Sequence, residues 1–595
     1  MPSSPKLTRA LVDTAMGRVP ADLVITSGQW VSVQSGEIIP DTDIAIKDGH
    51  VAYVGEDASH TIGKKTKVID AKGRYLVPGL IDGHMHVESS MVTVTEFVRV
   101  AAVHGTTGIF TDPHEIANVF GLKGVKLVLD EAQKQPIHVW VQMPACVPSA
   151  PGFETPGASI GPKEVAEAMK WPGIIGLGEM MNFPGVFMSD KNMLEEMAIT
   201  HAHNKVIGGH YPSPDLGLPF HGYVAGGAED DHEGTMLEDA IERVRQGMKP
   251  MLRYGSAWFD VESQITAITQ LGLDSRRFIL VTDDSHAGTL STEGHMDRVL
   301  RHAIEEGLKP ITAIQMMTLN TAEHFGVSRE MGMIAPGRWA DVLLVKDLNN
   351  FKADLVVAKG QVIVESGKWQ VKLPKFKYPS WATKSVKLKR KLNKDDFKLA
   401  THRTSLVKAN VIGVIENQAP TKHLTFDVQP VNGEINVDMQ RDIAKIAIVE
   451  RHKGTGGITR GLVSGFGFTS KCAIASTVAH DSHHMIVVGT DEESMAVAAN
   501  SLARSGGGLV VVKNGKVIGQ VELKIAGLMS NEKADVVAKK ADSILKGFKA
   551  CGCMLNNPNM QLSLLALVVI PELRISDKGL VDVTKFEFIQ VLEDR

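Results

Sequence analysis

The sequence predicts an α/β protein: a (β/α)8 barrel, a small β-sandwich domain formed from both of its flanks, and an additional C-terminal α+β domain. Three observations carry this. Apolar strand-like runs alternate with helical patterns over residues 76–329. Short alternating strands with turns stand on either side, in residues 1–75 and 330–370. A lysine-rich stretch, residues 371–400, then separates these from a differently textured region, residues 401–595. A chain of 595 residues is also too long for one hydrophobic core.

The flanking domain is read first. Ala21-Asp-Leu-Val-Ile-Thr-Ser-Gly and Asp43-Ile-Ala-Ile-Lys-Asp-Gly-His-Val-Ala-Tyr-Val-Gly alternate apolar and polar residues and are punctuated by Ser-Gly and Asp-Gly, which favour antiparallel hairpins. Matching β segments return at Ile334-Ala-Pro-Gly-Arg-Trp-Ala-Asp-Val-Leu-Leu-Val and Leu355-Val-Val-Ala-Lys-Gly-Gln-Val-Ile-Val. Two β segments that bracket a long insertion can share one sheet.

Within the bracket, strands are read at Gly108-Ile-Phe-Thr-Asp, Ile137-His-Val-Trp-Val-Gln-Met, Ile174-Ile-Gly-Leu-Gly-Glu, Val206-Ile-Gly-Gly-His, Pro250-Met-Leu-Arg-Tyr and Phe278-Ile-Leu-Val-Thr-Asp-Asp. Most end in a polar or ionisable residue. The C-terminal ends of the strands build the active site of a TIM-like barrel, so that placement is informative. Residues 371–400 read as a solvated strap. Beyond them, strands are expected at 444–449, 485–489 and 508–513, with helices at 492–504 and 531–546.

Composition narrows the function. A net charge of −4 gives no electrostatic footprint for nucleic acid. Four cysteines in so long a chain are no disulfide framework. Residues 1–20 contain no apolar core of a secretory signal, and no uncharged apolar run approaches the roughly 20 residues of a membrane span. The expectation is a soluble cytoplasmic protein with no membrane or nucleic-acid partner.

The chemistry begins at Pro78-Gly-Leu-Ile-Asp-Gly-His-Met-His-Val, where an apolar strand delivers His84 and His86 on one side of its end, because side chains on a strand recur with period two. Two imidazoles so placed suit one divalent transition metal. Later strand ends supply Glu179, His210, Asp283 and Asp284, with His232 in Glu229-Asp-Asp-His-Glu. A shared carboxylate plus several histidines can hold two ions and activate a water between them, with Asp283 as general base. The reaction that follows is hydrolytic attack on a C–N bond.

These motifs, with the Thr-Asp after the late strand and Pro336-Gly-Arg-Trp-Ala-Asp-Val-Leu-Leu-Val, resemble the amidohydrolase superfamily over roughly residues 21–364. More local stretches resemble its adenine deaminase family: His84-Met-His-Val-Glu-Ser-Ser-Met, Thr111-Asp-Pro-His-Glu-Ile-Ala-Asn-Val, Gly178-Glu-Met-Met-Asn-Phe-Pro-Gly-Val, Asp231-His-Glu, Val281-Thr-Asp-Asp, and, near the C-terminus, Ser476-Thr-Val-Ala-His-Asp-Ser-His-His and Val511-Val-Lys-Asn-Gly-Lys-Val.

The resemblance implies hydrolysis of adenine to hypoxanthine and ammonia by a metal-activated hydroxide attacking C6, with Mn2+ or Fe2+, two ions per site, and a homodimer. Carried over, His84, His86 and Asp283 bind the first ion, Glu179 bridges, and His210 and His232 bind the second. Glu233 or Asp284 shuttles the proton. Glu88, Asp112, His114 and His480 are the candidate substrate contacts. Asp112, His114 and Glu115 follow a barrel strand and either touch substrate, hold a further ion or make local loop bonds. His480, Asp481, His483 and His484 are expected to reach over the barrel mouth, from this chain or a partner subunit. One departure from the family pattern stands at Gly209-His-Tyr-Pro-Ser-Pro, where Gly-His-Ala-Pro-Gly is usual. The competing reading is an amidohydrolase for another cyclic amidine or amide, such as a modified purine or a dihydroorotase-type ring. A non-catalytic protein on a hydrolase scaffold is disfavoured, because such proteins lose the ligand positions that are all filled here.

Overall fold

The computed structural model describes residues 4–593. Its centre is a set of parallel strands in chain order: Leu80–Met85, Thr106–Thr111, His138–Met143, Ile174–Met180 and Val206–Gly209 form one ladder, and Asp230–Asp231, Lys249–Arg253 and Ile279–Val281 form a second. The two ladders abut where Glu229 N donates to Ile207 O at 3.0 Å. The far edges meet through a bridge between Met85 and Asp283, with Asp283 N donating to His84 O at 3.1 Å and His86 N to Asp283 O at 3.2 Å. The sheet therefore curls into a barrel of the expected type, its strands separated by helices. Ile81, Phe110, Val206, Met251, Ile279 and Val281 fill the inside. Phe325 closes it by stacking on Phe110 with ring centroids 4.0 Å apart.

The strands read on both flanks lie in one nine-stranded sheet. Val342–Val345 runs antiparallel to Tyr75–Pro78, so the chain entering the barrel pairs directly with the chain that has left it. Strand Leu23–Ser32 shifts register on either side of Gly28, pairing antiparallel with Glu37–Lys47 and parallel with Lys67–Asp70 and Tyr75–Pro78. This sheet orients the first barrel strand, because only one residue separates Pro78 from Leu80.

The strap after residue 370 is anchored at several points. Just before it Trp369 Nε1 donates to Arg99 O at 2.8 Å; within it Tyr378 Oη donates to Glu131, Lys123 lies 4.0 Å over the Trp381 ring, and Lys387 N donates to Arg451 O at 2.8 Å. Its basic residues face solvent while its aromatic and backbone groups bind the barrel and the region that follows.

That region is an eight-stranded sheet, mostly antiparallel. The runs expected at 444–449, 485–489 and 508–513 are strands Ala444–Val449, Met485–Gly489 and Gly508–Lys513. Helix Glu492–Ser505 covers one face, with Met495, Ala499 and Leu502 against Ala473, Val487 and Val510. It is capped by Asp491, whose carboxylate accepts Ser494 N, and it ends at Gly506 with φ 85°. Helix Ala534–Ala550 covers the other face through Val537, Ile544 and Phe548. This second layer sits on the barrel's upper loops: Ser530 N donates to Met91 O, Ala534 N to Glu96 Oε1, and Thr155 N to Asp577 Oδ1, all within 2.8 Å. Among the described residues no helix is long and apolar enough to cross a membrane.

Candidate active site at the barrel mouth

Residues from separate strands converge at one end of the barrel. His84 lies on Leu80–Met85 and His86 follows it; Asp112 follows Thr106–Thr111; Glu179 lies on Ile174–Met180; His210 follows Val206–Gly209; His232 follows Asp230–Asp231; Asp283 follows Ile279–Val281 by two residues. All except His210, which keeps partial exposure, are buried.

Glu179 is the hub. One oxygen lies 3.3 Å from His86 Nε2 and 3.2 Å from His114 Nδ1; the other lies 2.5 Å from His210 Nδ1 and 3.2 Å from His232 Nε2. Burial pushes the Glu179 carboxyl up, but His210 and the hydrogen bonds from the neighbouring imidazoles outweigh burial and hold it well below its usual range. Asp283 Oδ1 lies 3.2 Å from His86 Nε2 and 3.7 Å from His84 Nε2. The His84 and His232 rings stack with centroids 4.0 Å apart.

Supporting bonds fix these side chains from behind. His86 Nδ1 donates to Asp112 O at 2.8 Å, which aims Nε2 at the carboxylates. Asp82, the acidic residue of the Leu-Ile-Asp-Gly-His motif, accepts from Thr282 N at 3.2 Å and Thr282 Oγ1 at 2.5 Å, locking the residue before Asp283. Asp231 accepts from Tyr211 N, Glu233 N and the buried Arg243, and so ties His210 and His232 together through their neighbours. Gly178 is needed for space: a Cβ there would stand 2.1 Å from Asp112 Oδ2, the oxygen that accepts Glu179 N at 2.8 Å.

The donor set fits divalent cations. Ligand atoms of His84, His86 and Glu179, of His84, His232 and Asp283, and of Glu179, His210 and His232 lie within 4.8 Å of one another in each group. His84 Nε2 and Asp112 Oδ1 are buried without a hydrogen-bond partner, a cost that a bound cation removes. Imidazoles with carboxylates are ligands for zinc, iron and manganese rather than calcium.

The remaining expected residues separate into two kinds. Glu88 lines a cavity of about 810 Å³ between the barrel mouth and the C-terminal region, together with Ser89, Glu115, Trp258, His286 and His480. His480 therefore does reach over the barrel, and from the same chain. Asp112 does not line this cavity; its Oδ2 accepts Glu179 N, its Oδ1 is buried without a partner, and its ligand atom lies within 4.8 Å of those of His114 and Glu179. His114 turns Nδ1 to Glu179. Asp284 accepts from Ser89 Oγ and, at 3.2 Å, from Trp258 Nε1. His483 and His484 are buried and do not line the cavity; His483 packs on His480 with ring centroids 5.2 Å apart, and His484 Nε2 bonds Thr155 O at 2.7 Å. The unusual Tyr211 is buried too, its hydroxyl donating to Asp215 O at 2.6 Å, so the departure at that position concerns packing.

Sequence reasoning missed Arg253. It ends strand Lys249–Arg253, is 1% exposed, and donates to Glu233 Oε1 at 2.6 Å, Asp283 Oδ2 at 3.0 Å and Asp260 Oδ2 at 2.7 Å. Its signal was present: an arginine directly after the apolar Pro-Met-Leu at a strand's C-terminal end has no cheap burial without carboxylates waiting for it.

Residues 75–363 match the model of the amidohydrolase family, and residues 418–587 match that of the adenine deaminase C-terminal domain. The chain is 58% identical to adenine deaminase 3 of Rhizobium meliloti (strain 1021), over 98% of each chain. It is 60% identical to adenine deaminase of Mesorhizobium japonicum, over 98% of this chain and 96% of that one. With adenine deaminase of Moorella thermoacetica the identity is 49% over 99% of this chain and 98% of that one.

Proposed function

The chain belongs to the adenine deaminase family, and from that premise we propose that its barrel mouth hydrolyses adenine to hypoxanthine and ammonia. The observation that carries the reading is Glu179, one buried carboxylate with four imidazoles 2.5–3.3 Å from its oxygens, roofed by the domain this family adds to the barrel.

In this reading His84, His86, Glu179, His210, His232 and Asp283 would hold the metal, two ions per site, His84, His86 and Asp283 on one side and His210 and His232 on the other, with Glu179 shared. Manganese or iron suits such ligands. When bound, the pair lowers the pKa of a water toward neutrality and supplies Lewis acidity. The protein's own groups do the rest. Asp283, held by Arg253, takes the proton from the water that adds to C6 of adenine. Glu233, 3.4 Å from His232 Nε2, gives one proton to the ring nitrogen and recovers one from the new C6 hydroxyl, while Asp283 passes the water's proton to the amine, which leaves as ammonia. It is favoured over Asp284 by position, lying beside His232 and His210, whereas Asp284 bonds Ser89 and Trp258 in the cavity wall. Glu88 and His480 face the purine from the cavity, and Asp112 and His114 position Glu179.

The same reading treats the eight barrel strands as one (β/α)8 unit over residues 76–329. The β domain comprises residues 1–75 and 330–370, the strap residues 371–400, and the roof residues 401–595. A cytoplasmic homodimer accords with the family.

The test is ammonia release from adenine by purified protein reconstituted with Mn2+, with adenosine, guanine and cytosine alongside. Turnover of adenine alone is expected. No turnover of adenine by fully metallated protein redirects the site to another cyclic amidine.

A further inference from the structure

A separate set of cation ligands spans the seam between the barrel and its roof. His114 opens helix His114–Phe120 directly after a barrel strand, and His480 and Asp481 lie on the loop after strand Cys472–Ser476. Their ligand atoms all lie within 4.8 Å of one another. His114 Nδ1 lies 3.2 Å from Glu179 Oε1, so this group stands next to the Glu179 cluster.

The charge balance at the seam points to a missing cation. Asp481 is 3% exposed, and its Oδ2 is buried without a hydrogen-bond partner. Its other oxygen lies 3.7 Å from His480 Nδ1. Glu154, on the barrel loop beneath, is equally buried, with Oε2 unpartnered. Among the described residues neither carboxylate forms an ion pair with lysine or arginine, although a carboxylate taken out of water without a counter-charge is strongly disfavoured. The nearby buried cation, Arg451, is committed elsewhere: it donates to His483 O at 2.5 Å and to Ala526 O at 3.0 Å.

We propose that His114, His480 and Asp481 bind a further divalent transition-metal cation, distinct from the ions at Glu179, which staples the roof loop to the barrel mouth. Two imidazoles and one carboxylate from protein, with water completing the shell, are a common set for zinc and acceptable to manganese and iron. The loop is already formed for this: Arg451 holds His483 O, and His452 Nε2 bonds Ser482 O at 2.7 Å, so little ordering remains to oppose binding. All three ligands come from one chain, so no second subunit is required. The proposal does not depend on which ring the enzyme hydrolyses.

Metal counting by difference tests it. The full-length protein, Asp481→Asn and His480→Gln are each loaded with Zn2+ and, separately, with Mn2+, freed of excess by gel filtration, and assayed for metal per chain. Folding is checked by circular dichroism and elution volume. Each variant is expected to hold one ion fewer per chain than the unaltered protein. The difference reads this site whatever number the Glu179 centre holds, so failure of the two-ion reading and failure of this one are distinguishable. Equal metal content in the unaltered protein and in both folded variants, with either metal, overturns the proposal.

Discussion

Arg253 Nη1 donates to Asp283 Oδ2 at 3.0 Å, while Asp283 Oδ1 lies 3.2 Å from His86 Nε2. Asp283, the proposed general base, is thus held on one side by a buried guanidinium and presented on the other to the histidines. Asp283 also adopts φ 60°, a left-handed conformation that aspartate tolerates better than most residues. The bridge to Met85 and the Asp82–Thr282 bonds hold it there.

Arg253→Lys keeps the charge and loses the fork that spans Glu233, Asp260 and Asp283. A misplacement of the base by about 1 Å costs on the order of 100-fold in kcat. Arg253→Met removes the charge as well and is expected to destabilise the fold by about 3–5 kcal/mol, because buried carboxylates are left uncompensated. Steady-state kinetics and thermal melting of the two variants check this; a fully active Arg253→Met protein contradicts the assigned role.

Glu233 and Asp284 are separable. Burial pushes the Glu233 carboxyl up, and Arg253, His210 and His232 pull it below its usual range. Glu233→Gln is expected to lower kcat by about 10²–10⁴-fold, the usual worth of a positioned proton-transfer group, with metal content unchanged. Asp284→Asn is expected to act mainly on KM, since its bonds to Ser89 and Trp258 shape the cavity wall. The reverse pattern in kcat moves the shuttle to Asp284.

Glu179→Gln removes the anion on which four imidazoles converge. The expected result is loss of both bound metal and deaminase activity in a protein that still folds, read by elemental analysis beside circular dichroism. Retention of full metal content means that the histidines suffice without the shared carboxylate.

Glu196 supplies a pH signature far from catalysis. It lies on helix Lys191–Ala202, 1% exposed, with neither oxygen hydrogen-bonded, and its carboxyl is pushed up to about 8 by burial and then by Asp190 and Glu164. A carboxyl raised in the folded state contributes stability that is fully present below its unfolded value of 4.5 and is lost as pH rises toward 8. Glu196→Gln is therefore expected to be more stable than the unaltered protein at pH 9, by a few kcal/mol at most, and about equal at pH 5. Parallel melting curves at both pH values decide it, and an unchanged difference between the two rules out Glu196 as the titrating group.

Much of this was legible along the chain because the signals are local. His84 and His86 share a strand end, so period two alone placed them together. The strands at 444–449, 485–489 and 508–513 announced themselves as apolar runs bounded by turn residues. The motif Pro-Gly-Leu-Ile-Asp-Gly-His-Met-His, the acidic strand ends and the family resemblance identified the chemistry before any contact was known. The sequence by itself determined the main element types, their order and which side chains are candidates for metal binding.

What only the tertiary structure decided depends on which residues distant in sequence share a neighbourhood. Arg253 looked like an ordinary strand end until Glu233, Asp260 and Asp283 were seen around it. That Asp112 reaches Glu179 N, through space left by Gly178, was not visible along the chain. His480 stands 366 positions after His114, and only the packing of the roof brings their ligand atoms within 4.8 Å. Periodicity records which way a side chain faces along its own element, whereas a buried charge is decided by the counter-charge that folding places opposite it.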